Sequence, residues 1–115
     1  MNSSTITELS SRRALEEVVQ LLSCASTRAH ALSSARHDLP MGALGLGAQL
    51  AASQALELLP ADVDADVDDP VPGQTTPIDL VRSAEAVTRT VPIDQFPPGT
   101  SQLIVAICDL IREHG

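Results

Sequence analysis

In the first third of the chain, apolar residues recur at alternating intervals of three and four positions. They are Leu15, Val18, Leu22, Ala25, Ala29 and Leu32. This spacing places them on one stripe of an α-helix, since 3.6 residues complete a turn. The opposite face is polar and includes Glu17, Gln20 and His30. Thr5 followed by Glu8 matches a capping box, so we expect an amphipathic helix at about 5–37.

The second apolar segment is hydrophobic on more than one side. Pro40 disfavours helical geometry at Leu39, and Asp38 is a favourable N-cap, so a new helix of about 40–59 is expected. Its main stripe consists of Leu44, Ala48, Ala51, Ala55 and Leu58. Leu46 and Leu50 fall outside that stripe. Such a helix should lie centrally in the fold or be covered by another chain.

Residues 60–74 interrupt the helical pattern. They contain five aspartates, three prolines and one glycine, and they carry −5 of the formal net charge of −8. Low hydrophobicity with unbalanced charge is typical of a solvated linker, which we place at 60–76. It is long enough to let helices on its two sides exchange between chains.

A third helix is predicted at 77–90. Thr76 is a suitable N-cap, and Pro77 fits the first helical position because its missing amide costs nothing there. The expected buried stripe is Leu80, Ala84, Val87 and Val91, and Glu85 with Arg89 is an i,i+4 ion pair.

The chain ends with a proline-rich connection and a last apolar segment. In the connection we expect Ile93 and Phe96 to fold back over one end of the core. The last segment has apolar residues at helical spacing, namely Leu103, Ile104, Ile107, Leu110 and Ile111. This favours a helix at 100–113, although its β-branched residues leave a strand as an alternative.

Together these elements predict an all-α protein with a single domain over 1–115. The fold class is a four-helix bundle, made of two helical hairpins joined by the acidic Pro/Asp-rich linker. Hydrophobic residues make up 43% of the chain, but Phe96 is its only aromatic residue, so the core must be aliphatic. Such a core buries little area per residue, and a second copy or a partner could supply more.

Composition and charge exclude several classes of function. No basic surface is available for nucleic acid, since acidic residues outnumber the seven arginines and lysine is absent. The first eleven residues do not resemble a signal peptide, and the apolar run 103–108 is too short to span a bilayer. We therefore expect a cytoplasmic protein without nucleic-acid or membrane partners. Arginine in place of lysine, with abundant alanine, indicates a GC-rich bacterial genome.

The candidate chemical groups do not form a recognisable site. Cys24 and Cys108 belong to no metal-spaced Cys/His pair, and His30 and His37 are two helical turns apart, too far for one metal ion. The aspartates at 62, 64, 66 and 68 resemble the start of a calcium loop, but the glycine and closing glutamate of such a loop are missing. We expect no metal and no cofactor.

Catalytic motifs are equally absent. The glycines at 42, 45 and 47 could cradle a phosphate, but no lysine exists in the chain and no Ser or Thr follows them. We interpret them as points of close helix packing. No serine lies in a nucleophile elbow, and His114 adjoins a chain terminus. The protein is predicted not to be an enzyme.

What remains is association through apolar surface. The first hypothesis is a protein–protein interaction or regulatory module, a homodimer or a partner for another protein, with an interface at Leu46, Leu50, Leu58, Ile104 and Ile111. One alternative is a small-molecule carrier or sensor with a pocket at Ala48, Ala51 and Ala55. A second alternative is an acidic inhibitor that docks residues 62–69 on a basic partner.

Overall fold

The computed structural model describes residues 3–59 and 75–115, with side chains from residue 10 onward. The described parts contain four α-helices, no strand and one short 3-10 turn. The helices are α1 (Ser3–Arg36), α2 (Leu39–Glu57), α3 (Pro77–Thr88) and α4 (Thr100–His114). The 3-10 turn, Ile93–Gln95, lies between α3 and α4. The predicted all-α class is confirmed, and the alternative of a strand in the last segment is wrong.

The four helices form a bundle in which α1 and α4 lie on one diagonal. Helix α1 packs against α2 and α3, and α4 packs against the same two helices. The start of α3 lies beside the start of α2, where Thr76 and Pro77 line a crevice with Asp38 and Pro40. Helices α2 and α3 therefore run in the same direction, opposite to α1.

The predicted linker at 60–76 lies outside the described residues up to position 74. Its two neighbours in the chain lie at opposite ends of the bundle. Leu58 contacts Gly99 at the start of α4, whereas Thr75 accepts a hydrogen bond from the Arg28 guanidinium of α1 at 3.0 Å. The end of α2 and the start of α3 therefore lie at opposite ends of the bundle.

Helix α1 supplies the long side of the molecule. Its 34 residues correspond to about 51 Å at 1.5 Å per residue, close to the longest dimension of 54 Å. Of the predicted stripe, Leu15, Val18, Leu22, Ala25 and Ala29 are buried, and only Leu32 is partly exposed. The helix begins two residues before Thr5, which is therefore inside α1 rather than its N-cap.

Two predicted helix caps are present. The backbone N–H of Met41 donates to the Asp38 carboxylate at 3.2 Å, and the N–H of Asp79 donates to the Thr76 hydroxyl at 3.3 Å. Between α1 and α2, His37 has a φ of 52°. This left-handed residue ends α1 and turns the chain directly into α2.

The connection between α3 and α4 closes one end of the core only in part as predicted. Val91 and Phe96 are buried, whereas Ile93 is 53% exposed. The 3-10 turn begins at Ile93, and Phe96 leaves the turn in extended conformation. This change of backbone direction brings the Phe96 ring to the core and leaves Ile93 outside, so the prediction was wrong for Ile93.

Candidate functional site

The inner face of α2 is built from small residues. It consists of Leu44, Gly45, Ala48, Ala51, Ala52 and Ala55, all of them buried. The predicted stripe on this helix is therefore confirmed at Leu44, Ala48, Ala51 and Ala55. Small side chains let helix axes approach closely, but each of them removes little apolar area from water.

The glycines of α2 lie where neighbouring side chains reach its backbone. A Cβ added at Gly45 would come within 3.1 Å of the His30 ring of α1. One added at Gly47 would overlap the Leu110 side chain of α4. Predicted close packing is thus observed on both flanks of α2. His30 was expected on the exposed polar face of α1, but it packs over Gly45, because the missing side chain there leaves room for its ring.

The outer face of α2 carries larger residues than the inner face. We call it the leucine face and define it as Leu39, Ala43, Leu46, Leu50 and Ser53, all of them exposed. Leu39, Leu46 and Leu50 are exposed to 85%, 58% and 66% respectively. The five residues of the leucine face are spaced alternately four and three positions apart, which keeps them on one line along the helix, the arrangement that packs one helix against another.

The leucine face carries no charge over most of its length. Glu57 is the only charged residue in α2. The other three helices all hold ion pairs on their surfaces. They are Arg12–Glu16 in α1, Asp79–Arg82 and Glu85–Arg89 in α3, and Asp109–Arg112 in α4. Of these, Glu85–Arg89 is the predicted i,i+4 pair, and Arg89 Nε lies 2.7 Å from Glu85 Oε1. An uncharged helix face rich in leucine is typical of a protein contact rather than a solvated surface.

A crevice adjoins the leucine face on the side of α1. It has a volume of about 240 Å³, and its lining is mainly apolar. Val19, Ser23 and Ser26 of α1 line one wall, and Gln49, Ala52, Ser53 and Leu56 of α2 line the other. Leu56 is 48% exposed at its rim. The surface is therefore shaped rather than flat.

The structure does not bring the five predicted interface residues to one surface. Leu46 and Leu50 lie on the leucine face, whereas Leu58 and Ile111 are partly buried and pack against the core. Ile104 is also partly buried. It lies about 200° around α4 from Gln102, a residue that lines a crevice with α2. Ile104 thus lies on the side of α4 away from α2.

Sequence reasoning missed two exposed leucines, Leu39 and Leu56. Leu39 is seven residues before Leu46 and therefore on the same helical line, a signal present in the sequence. Pro40 disfavours helical geometry at Leu39 and so predicts a break there, which hides this signal. In the structure Leu39 is the first residue of α2.

Chemical groups are dispersed in the part of the chain that the structure describes. Cys24 is buried and Cys108 partly buried, both as thiols. No group of three His, Cys, Asp or Glu side chains comes together there as a metal site. The aspartates of the calcium-loop hypothesis, at 62–68, lie outside the described residues. Among the described helices, none has the length and apolar character needed to cross a membrane.

Comparison with known proteins adds no family assignment. No family model, no curated protein and no solved structure matches this chain. Among the surfaces that the structure describes, the leucine face is the most distinctive.

Proposed function

We propose that this protein is a self-associating interaction module that uses the leucine face of α2 as its contact surface. The observation that supports this is the reversed arrangement of α2, which buries alanines and exposes leucines. Burying a fully exposed leucine side chain would stabilise the protein by about 1.5–3 kcal/mol. A second protein surface would recover part of this free energy.

Charge limits where a second copy of the same chain can bind. Each copy carries a formal net charge of −8, so two copies repel one another over most relative orientations. Apart from Glu57 at its end, α2 has no charged side chain. The leucine face is therefore where two acidic chains can approach with the least like-charge repulsion.

The size of the surface indicates a reversible dimer. Helix α2 has 19 residues, which gives a length of about 28 Å and, at a helix diameter of about 10–12 Å, a footprint of roughly 300 Å². This is well below the area of about 800 Å² per chain in a standard interface. We therefore expect monomer and dimer to exchange with concentration.

The test is the solution mass measured by light scattering over a concentration series. The wild-type mass should rise from 12.1 kDa toward twice that value. Leu46→Glu and Leu50→Glu should each hold the protein at the monomer mass, since a buried unpaired carboxylate opposes association. Circular dichroism should show unchanged helix content in both variants.

Val105→Glu is the matched control. Val105 lies on α4 and has the same exposed fraction as Leu46, 58%, but it is outside the leucine face. Its variant should dimerise like the wild type. A wild type that stays monomeric at every concentration would refute the proposal, and so would a Val105→Glu variant that loses the dimer equally.

The other two hypotheses receive no specific support. The alanines named for a ligand pocket, Ala48, Ala51 and Ala55, are fully or almost fully buried in the hydrophobic core. The acidic-inhibitor hypothesis depends on residues 62–69, which lie outside the described residues.

A further inference from the structure

Four of the five residues of the leucine face are arranged symmetrically about position 48. Leu46 and Leu50 lie two residues on either side of position 48. Ala43 and Ser53 lie five residues on either side of it, and both are small and exposed. Reversing the helix direction about position 48 therefore exchanges leucine with leucine and small residue with small residue at these four positions, whereas Leu39 is exchanged with Glu57.

This symmetry suits an isologous contact, in which the same patch is used on both chains. When two α2 helices run in opposite directions, Leu46 meets the partner's Leu50, and Ala43 meets the partner's Ser53. The two leucine pairs fill the centre of the contact. The small residues on either side let the helix backbones approach, as they do on the inner face of α2.

Charge favours this direction over the parallel one. In a parallel pair the two Glu57 side chains would lie against one another, where like charges repel. In the antiparallel pair the two Glu57 side chains are about 27 Å apart along the axis. Each then lies level with Leu39 and next to Asp38, at the start of the other α2 helix, where the helix dipole favours a negative charge. The helix dipoles of the two α2 helices then also oppose one another, which is the favourable arrangement.

We propose that two copies pair through α2 in antiparallel register about a two-fold axis level with Ala48. This inference rests on the proposed self-association and specifies its geometry. Each leucine face then contributes one half of a four-leucine cluster, and neither half is complete in the monomer.

Disulfide trapping tests the register. Ala43→Cys and Ser53→Cys are made separately in a Cys108→Ser background, since Cys108 is partly exposed whereas Cys24 is buried. Each variant is oxidised alone and after mixing the two. A disulfide needs Cα atoms within about 7 Å, so it forms only between positions that face one another. The mixture should yield several-fold more cross-linked dimer than either variant alone.

Ser101→Cys on the exposed side of α4 is the control and should not cross-link. Light scattering of the reduced variants separates the two proposals. Cross-linking of each variant with itself, in a dimeric sample, would show parallel pairing and overturn the register while self-association stands. A dimer that cross-links at neither position would overturn it as well. A monomeric sample would refute the proposed function itself.

Discussion

Helices α2 and α4 pack against one another yet divide their residues in opposite ways. In α4, Leu103 and Ile107 are fully buried and Leu110 nearly so, whereas Ser101, Gln102, Asp109 and Arg112 face solvent. In α2 the buried positions are mostly alanine, and three leucines of its outer face are exposed. Apart from Val105, which is 58% exposed, α4 keeps its large apolar side chains buried or partly buried, whereas four of the five leucines of α2 are exposed.

The difference shows that amphipathicity alone does not describe what a helix contributes. Helix α4 stabilises the monomer by removing large side chains from water. Helix α2 contributes close backbone contact with its neighbours through glycine and alanine, and its leucines remain for a further contact. Substitutions on the two helices should therefore separate monomer stability from association.

The largest contrast is expected between a leucine of each helix. Leu103→Ala should lower the free energy of unfolding by about 2–5 kcal/mol, since it leaves a cavity in the core. Leu46→Ala should change it by no more than about 0.5 kcal/mol, because the side chain is already in water. Urea unfolding in the dilute, monomeric range measures both. Comparable losses in the two variants would contradict the assignment of Leu46 to an outer face.

Close approach of α4 to α2 gives the next effect. Gly47→Ala should lower the free energy of unfolding by up to about 2 kcal/mol. Alanine stabilises a helix by about 1 kcal/mol relative to glycine, but here its methyl group would crowd the Leu110 side chain, and this loss is the larger. Thermal unfolding of Gly47→Ala, Leu110→Ala and the double variant should show favourable coupling between the two sites. A stabilised Gly47→Ala protein would mean that α2 and α4 are farther apart than described.

The start of α2 gives the smallest effect. Asp38→Ala removes the acceptor for the Met41 amide and should lower the free energy of unfolding by about 1 kcal/mol. Asp38→Asn keeps a capping side chain and should lower it by only about 0.3 kcal/mol. Helix α4 begins differently, at Gly99 with a φ of 98° and no side-chain cap. Equal losses from the alanine and asparagine variants, measured by urea unfolding, would show that the cap contributes little.

Local signals accounted for most of the helices. The interruptions at Asp38 and Thr76 could be located because capping and proline geometry depend on a few adjacent residues. Spacing identified the buried positions Leu15, Val18 and Leu22 for the same reason. It failed at Ile93 and His30, because the burial of those side chains depends on a neighbouring element that local spacing does not specify.

The candidate site was only partly predictable. Leu46 and Leu50 could be recognised as outside the main stripe of α2. The sequence could not show that Ile104 and Ile111 lie on the side of α4 away from them. That separation depends on which flank of α4 packs against α2, and Leu110 over Gly47 decides it.

By itself the sequence determined the helices, their main apolar stripes and the caps of α2 and α3, because these follow from interactions within a few residues. Only the tertiary structure decided that α1 and α4 lie diagonally, and that α2 buries its alanines and turns its leucines outward. The reason is steric: once glycine and alanine allow α1 and α4 to approach one side of α2, the larger side chains are left on the other.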